Sequence, residues 1–169
     1  DADVAGSGVR LSYWKGQLKD IYTQDMYKVA YAVRPWGLNI QSEAGLFLNS
    51  ENGAALDGQI DNKAVWASIR TGYQGHSAMI GYQRLFGKSD FPYLQDGATG
   101  MVNHATTYFG YAQEKSLQLR YDYNFAAAGI PGLSVMARYT KGWDAESARG
   151  VKGDEWERGV MIQYVFQQG

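Results

Sequence analysis

Apolar and polar residues alternate along most of this chain with a period of two, and helical periodicity is weak throughout. In SLQLRYDYNF (116–125), Leu117, Leu119, Tyr121, Tyr123 and Phe125 fall on one side, with Gln118, Arg120, Asp122 and Asn124 on the other. The stretch LSVMARYTKGWD (133–144) sets Leu133, Val135, Ala137, Tyr139 and Trp143 against Ser134, Met136, Arg138, Thr140 and Asp144. Successive side chains of a strand point to opposite faces, so each stretch predicts a strand with one apolar and one polar face. Eight strands follow, at about residues 9–17, 20–33, 38–49, 61–74, 77–87, 114–125, 133–144 and 154–167.

The connections differ in length by turns. RPWG (34–37), QGH (74–76) and AAAGIPG (126–132) are tight, whereas SENGAALDGQ (50–59), the stretch 88–113 and AESARGVKG (145–153) are longer. The first connection, around 17–19, is short and breaks the rule. Tight turns at one end and long loops at the other describe an all-β, antiparallel up-and-down barrel, with residues 1–169 as a single segment and no second domain.

Alternation alone leaves two possible insides. In a soluble barrel or sandwich the apolar face is the core; in a transmembrane barrel it meets lipid and the polar face lines a lumen. Aromatic residues at the strand ends favour the membrane. Trp156 and Tyr164 bracket Val160 and Ile162 on one face of the last strand. At about 3.3 Å per residue and a tilt near 40°, their separation rises roughly 20 Å along the membrane normal, as two aromatic girdles require.

Composition narrows the chemistry. A net charge of −1 from 16 basic and 17 acidic residues gives no electrostatic case for nucleic acid. The absence of cysteine removes disulfides, thiol nucleophiles and zinc–cysteine sites. His76 and His104 are the only histidines and are isolated, so neither a metal site, a cofactor nor an enzymatic triad is expected. No run of 18 apolar residues could form a transmembrane helix, which leaves a barrel as the spanning architecture. The opening DADVAGSGVR is polar and unlike a signal peptide, which reads as a processed chain or a piece of a longer one.

Several motifs carry a family resemblance. The segment SLQLRYDYNFAAAGIPGLSVMARYTKGWD resembles the signature of the OprD-type outer-membrane porins of pseudomonads and relatives, in which R-Y-D-Y-[DN]-F-A, G-[VI]-P-G-L and R-Y-x-x-G recur in this order. GHSAMIGYQRLFGKSDFPYL (75–94) is similar to the family's G-H-A-x-x-x-G-Y-Q strand followed by F-P-[YF]-L, and RLSYWKGQLKDIYTQ (10–24) to its S-Y-Y-[YW]-x-x-L-x-D-x-Y segment. The resemblance implies a monomeric eighteen-stranded barrel of the Gram-negative outer membrane, of which this chain matches the ninth to sixteenth strands. Its expected partners are outer-membrane lipid and a small solute, and its expected role is passive uptake of small hydrophilic compounds, carboxylates or amino-acid-like molecules.

The polar faces carry Arg10, Lys28, Arg70, Arg120 and Arg138, accompanied by Glu43, Asp122, Asp144 and Glu157. The resemblance implies a ladder of basic side chains along the pore wall, here Arg10, Lys28, Arg70, Arg120 and Arg138 with Asp122. Arginine suits that role because its guanidinium stays charged and can hold a carboxylate by two bonds. By order, the loop 88–113 corresponds to the family's inward-folding seventh extracellular loop, and Asp90, Phe91, Pro92, Tyr93 and Asp96 would form its constriction. Three alternatives stay open: a solvated wall with an exposed loop, a soluble binding protein, and a small eight-stranded barrel without conductance.

Overall fold

The computed structural model describes residues 2–4, 7–92, 103, 109–147 and 149–166. They form one antiparallel sheet with strands in sequence order: β1 (Ala2–Val4), β2 (Val9–Leu18), β3 (Tyr22–Val33), β4 (Asn39–Glu51), β5 (Asp61–Tyr73), β6 (His76–Gly87), β7 (Lys115–Asn124), β8 (Leu133–Glu146) and β9 (Lys152–Tyr164). The eight strands read from the alternation are β2 to β9. Strand β1 was not expected; three residues are too short to display a period. Among the described residues β1 pairs only with β2 and β9 only with β8, so the sheet is open.

The tight turns are built by backbone conformations the sequence supplies. Gln74 and Gly75 both take positive φ (47° and 85°), the geometry of a two-residue turn whose twist matches the strands it joins. After β7, a 3-10 turn over Phe125–Ala128 is capped by the Asn124 side chain accepting from the Ala126 N–H. At the opposite end the connection of β8 to β9 is shorter than the sequence suggested. The ladder shifts register between Gly142 and Ala145, where Asp144 takes a φ of 60°, and so continues to Glu146 opposite Lys152. A β-bulge absorbs the irregular residues that read as loop.

Directly opposed residues share a face, so the register sorts the sheet into two. The outer face carries Tyr27, Val29, Ile69, Ile80, Leu119, Tyr121, Tyr139, Val160 and Ile162, all exposed. At its tight-turn end Tyr73, His76, Tyr123 and Phe125 gather, with His76 Nδ1 2.6 Å from the Tyr121 hydroxyl and its ring 4.5 Å from that of Tyr123. Tyr82, Trp143 and Trp156 stand toward the other end.

The buried core lies on the inner face, in the half nearer the long loops. Phe47, Ala64, Trp66, Leu85 and Phe91 form it, with Met26 packed against them. Trp66 stacks on Phe47 at 5.0 Å, and Phe91, from the long loop, meets Phe47 edge-on at 5.1 Å. Gly45 makes this possible: a Cβ there would collide with the Trp66 ring. The inner face is therefore buried in one half, where apolar side chains pack among amides, and charged and partly open in the other, a division the plain alternation did not predict.

Candidate functional site

The charged half is set by the register of β5 to β8. Arg70 opposes Met79, Met79 opposes Arg120, and Arg120 opposes Arg138, so the three arginines fall in one row across four adjacent strands. Ser77 and Asp122 oppose each other one step nearer the tight turns. Arg70 Nη1 donates to Asp122 Oδ2 at 3.0 Å and to Ser77 Oγ at 3.1 Å. Arg120 reaches the same carboxylate through Nε (3.0 and 2.9 Å) and Nη2 (2.6 Å). Arg138 Nη2 donates to Glu157 Oε1 at 2.8 Å, and both side chains are more buried.

Arg10 and Lys28 stand apart from this group. They share the inner face on β2 and β3, where Arg10 opposes Ala30 and Lys28 opposes Gly45; Arg10 is exposed and Lys28 half-buried. The six wall residues inferred from sequence thus divide into a triad (Arg70, Arg120, Asp122), a neighbouring ion pair (Arg138) and two outlying cations.

Above the row, the described parts of the 88–113 loop are stitched to the inner face. Gln24 Nε2 donates to the Pro92 carbonyl at 3.2 Å, Asn62 Nδ2 to Ser89 O at 2.8 Å, and Gln83 Nε2 to Phe109 O at 2.6 Å. From the loop side, Asn103 Nδ2 donates to Ser116 Oγ at 2.7 Å. Gln24, Asn49 and Asn62 are themselves chained through side-chain amides (2.8 and 3.3 Å). Buried backbone carbonyls need donors, and these wall amides supply them.

Three of the five loop residues named from sequence are anchors here. Phe91 is 2% exposed in the core. Pro92 offers its carbonyl to Gln24. Asp90 accepts from the Ala112 N–H at 2.9 Å and the Ser147 hydroxyl at 2.6 Å, tying this loop to the β8–β9 connection. Tyr93 and Asp96 lie outside the described residues, as does His104.

Sequence reasoning missed the anchoring set, above all Glu114. It is fully buried at the base of the loop, its Oε2 accepting from the Tyr111 N–H at 3.0 Å. Burial pushes its carboxyl up to about 8, and the neighbouring Glu155 and Asp90 carboxylates add to the rise. Glu114 and Glu155 face each other, and the Oε1 atom of each has no donor among the described residues.

No helix among the described residues is long and apolar enough to cross a membrane, and no group of histidine and carboxylate side chains among them is arranged to hold a metal ion. What remains is a sheet with an apolar outer face, aromatic ends and a charged inner wall. Residues 4–169 match the family model of the outer membrane porins of the OprD family. This chain belongs to the OprD family.

Its relatives are porins, channels rather than enzymes. The chain is similar to the porin-like protein GalP of Pseudomonas putida, at 30% identity over 92% of the chain and 37% of GalP. Among solved structures it is similar to Pseudomonas aeruginosa OpdK with vanillate (34% identity, TM-score 0.89, 95% of this chain and 43% of OpdK). It is also similar to P. aeruginosa OccK2 (OpdF) in complex with glucuronate (30% identity, TM-score 0.90, 98% and 46%). The chain therefore spans less than half the length of these relatives. Membership of a Gram-negative outer-membrane family explains the exposed apolar face, whose solvent is lipid.

Proposed function

We propose that this segment forms part of the wall of a monomeric outer-membrane channel that passes small hydrophilic solutes bearing a carboxylate, down their concentration gradient. The observation that carries the reading is the row of Arg70, Arg120 and Arg138 on the inner face, beneath a loop pinned across the same face. Guanidinium groups bind carboxylates by charge-assisted hydrogen bonds, and a succession of such sites passes a solute on when none holds it too long. The loop narrows the path, with Asp90, Phe91 and Pro92 as its anchors. Arg10 and Lys28 extend the basic wall toward strands beyond β1. Vanillate and glucuronate, named with OpdK and OccK2, each carry one carboxylate, which supports the assignment. Both open edges of the sheet need partner strands in lipid, where unpaired backbone groups cost several kcal/mol each.

Planar-bilayer recording of the full-length protein tests this. Discrete conductance steps are expected, with vanillate interrupting the current and uncharged vanillyl alcohol doing so far less. A folded barrel that shows no steps, or that treats the two probes alike, overturns the reading.

A further inference from the structure

The tight-turn half of the inner face holds an arrangement that charge alternation does not require: two guanidinium groups share one carboxylate. Arg70 comes from β5 and Arg120 from β7, with Met79 of β6 between them; Arg70 Nη2 lies 3.5 Å from the Met79 sulfur. Both arginines lean toward the tight turns to reach Asp122, whose two oxygens accept four hydrogen bonds between them. The side chains are 30%, 31% and 25% exposed for Arg70, Arg120 and Asp122, so the cluster is open to the inner space. Two cations and one anion leave a single net positive charge. Arg138 with Glu157, one strand further, leaves none.

Building on the carboxylate channel proposed above, we infer that Asp122 is a resident competitor, occupying the guanidinium donors that a passing solute carboxylate takes, so that the solute binds by exchange and leaves quickly. Two guanidiniums in one row, a single strand apart, repel each other and spread into solvent unless an anion lies between them; Asp122 keeps them together. The same contacts consume the bonds that would otherwise grip a solute. An arriving carboxylate gains two cations only as Asp122 gives them up, which lowers net affinity while preserving the attraction that draws it in. A conducting site needs this balance, favourable enough to enter and weak enough to leave. Asp122 acts through Arg70 and Arg120, as a positioning residue.

The test uses the full-length protein in planar bilayers, with vanillate as the probe and its current-block dwell time as the readout. Asp122→Asn keeps the size of the side chain and removes its charge, and should lengthen the dwell about tenfold, the worth of one charge-assisted hydrogen bond. Asp154→Asn, which removes one carboxylate from an exposed position on β9, should leave it unchanged. Ser77→Asp places a second carboxylate beside Arg70 and should shorten the dwell; it covers the case in which Asp122→Asn fails to fold. A measurable wild-type dwell that neither variant alters overturns this inference alone, even if ion selectivity shifts, since a fixed charge moves selectivity without competing for donors. Channels that conduct ions yet show no vanillate dwell in wild type or variants overturn the carboxylate reading as well.

Discussion

The two halves of the inner face are written in the same alternating code and do opposite things. Toward the long loops, the inward positions hold Phe47, Trp66 and Leu85 with the amides of Gln24, Asn62 and Gln83, all buried beneath the 88–113 loop. Toward the tight turns, the inward positions hold Arg70, Arg120, Asp122 and Ser77, partly open. One half is a small protein core that fixes a loop, and the other is a charged surface left partly open. The difference teaches that "inward" in such a sheet is two environments, a dry one that supplies shape and a wet one that supplies charge. Substitutions should therefore sort by half: those near the loops should change loop stability, and those near the turns should change selectivity.

The largest effect is expected from Phe47→Ala in the full-length porin. Phe47 is 1% exposed and is the contact shared by Trp66 and Phe91. Its truncation should weaken loop docking by about 3–5 kcal/mol. Limited proteolysis within 88–113 reads this directly, and cleavage no faster than in wild type would mean that the loop is not held by this core. Gln83→Leu should come next, leaving the buried Phe109 carbonyl without its donor at about 1–3 kcal/mol. It should accelerate the same cleavage by less than Phe47→Ala does, while ion selectivity stays as in wild type.

The two halves were not equally legible in the sequence. The arginine row could be read because it needs only alternation and register: Arg120 and Arg138 sit symmetrically about one turn, and Arg70 falls in phase. Strands β2 to β9 were legible for the same reason, since apolar residues dominate one face of each despite single charged residues such as Lys15, Asp25 and Arg158. The loop anchors were not. Gln24, Asn62 and Gln83 look like ordinary polar occupants of a polar face, and their partners are backbone carbonyls 68, 27 and 26 residues away in sequence. No local pattern encodes a bond to a carbonyl. Phe47 occupies a polar-face position, and nothing near it in sequence names Phe91 as its neighbour. The convergence of Arg70 on Asp122, 52 residues apart, was hidden for the same reason, whereas the Arg120–Asp122 contact is two residues long and lay in view.

A third expectation concerns pH, and it belongs to the loop half. Glu114 holds its proton in the docked state up to about pH 8, while a released loop gives that proton up in the ordinary carboxyl range near 4.5. The docked state binds more protons between those values, so loop docking is strongest below about 4.5 and weakens as pH rises toward 8. Hydrogen exchange of the 109–114 backbone should quicken across that window beyond its intrinsic pH dependence. Glu114→Gln, which stays neutral, should flatten the excess; parallel profiles for the two proteins would show that another group controls docking.

The smallest effect on stability, and the sharpest use of the contrast, is expected from Arg70→Gln. The side chain is about one-third exposed, and Asp122 keeps its contacts to Arg120 when Arg70 is gone. Loss of a partly solvated ion pair should cost about 0–1 kcal/mol, and loop proteolysis should match wild type. Selectivity should nevertheless move. Without Arg70 the cluster falls from one net positive charge to none, so the reversal potential under a salt gradient should shift toward cations, most clearly at low ionic strength where screening is weakest. The loop-half variants should leave that potential in place. If Arg70→Gln instead loosened the loop as much as Gln83→Leu does, the inner face would be one cooperative unit, and the division between a half that shapes the path and a half that charges it would fail.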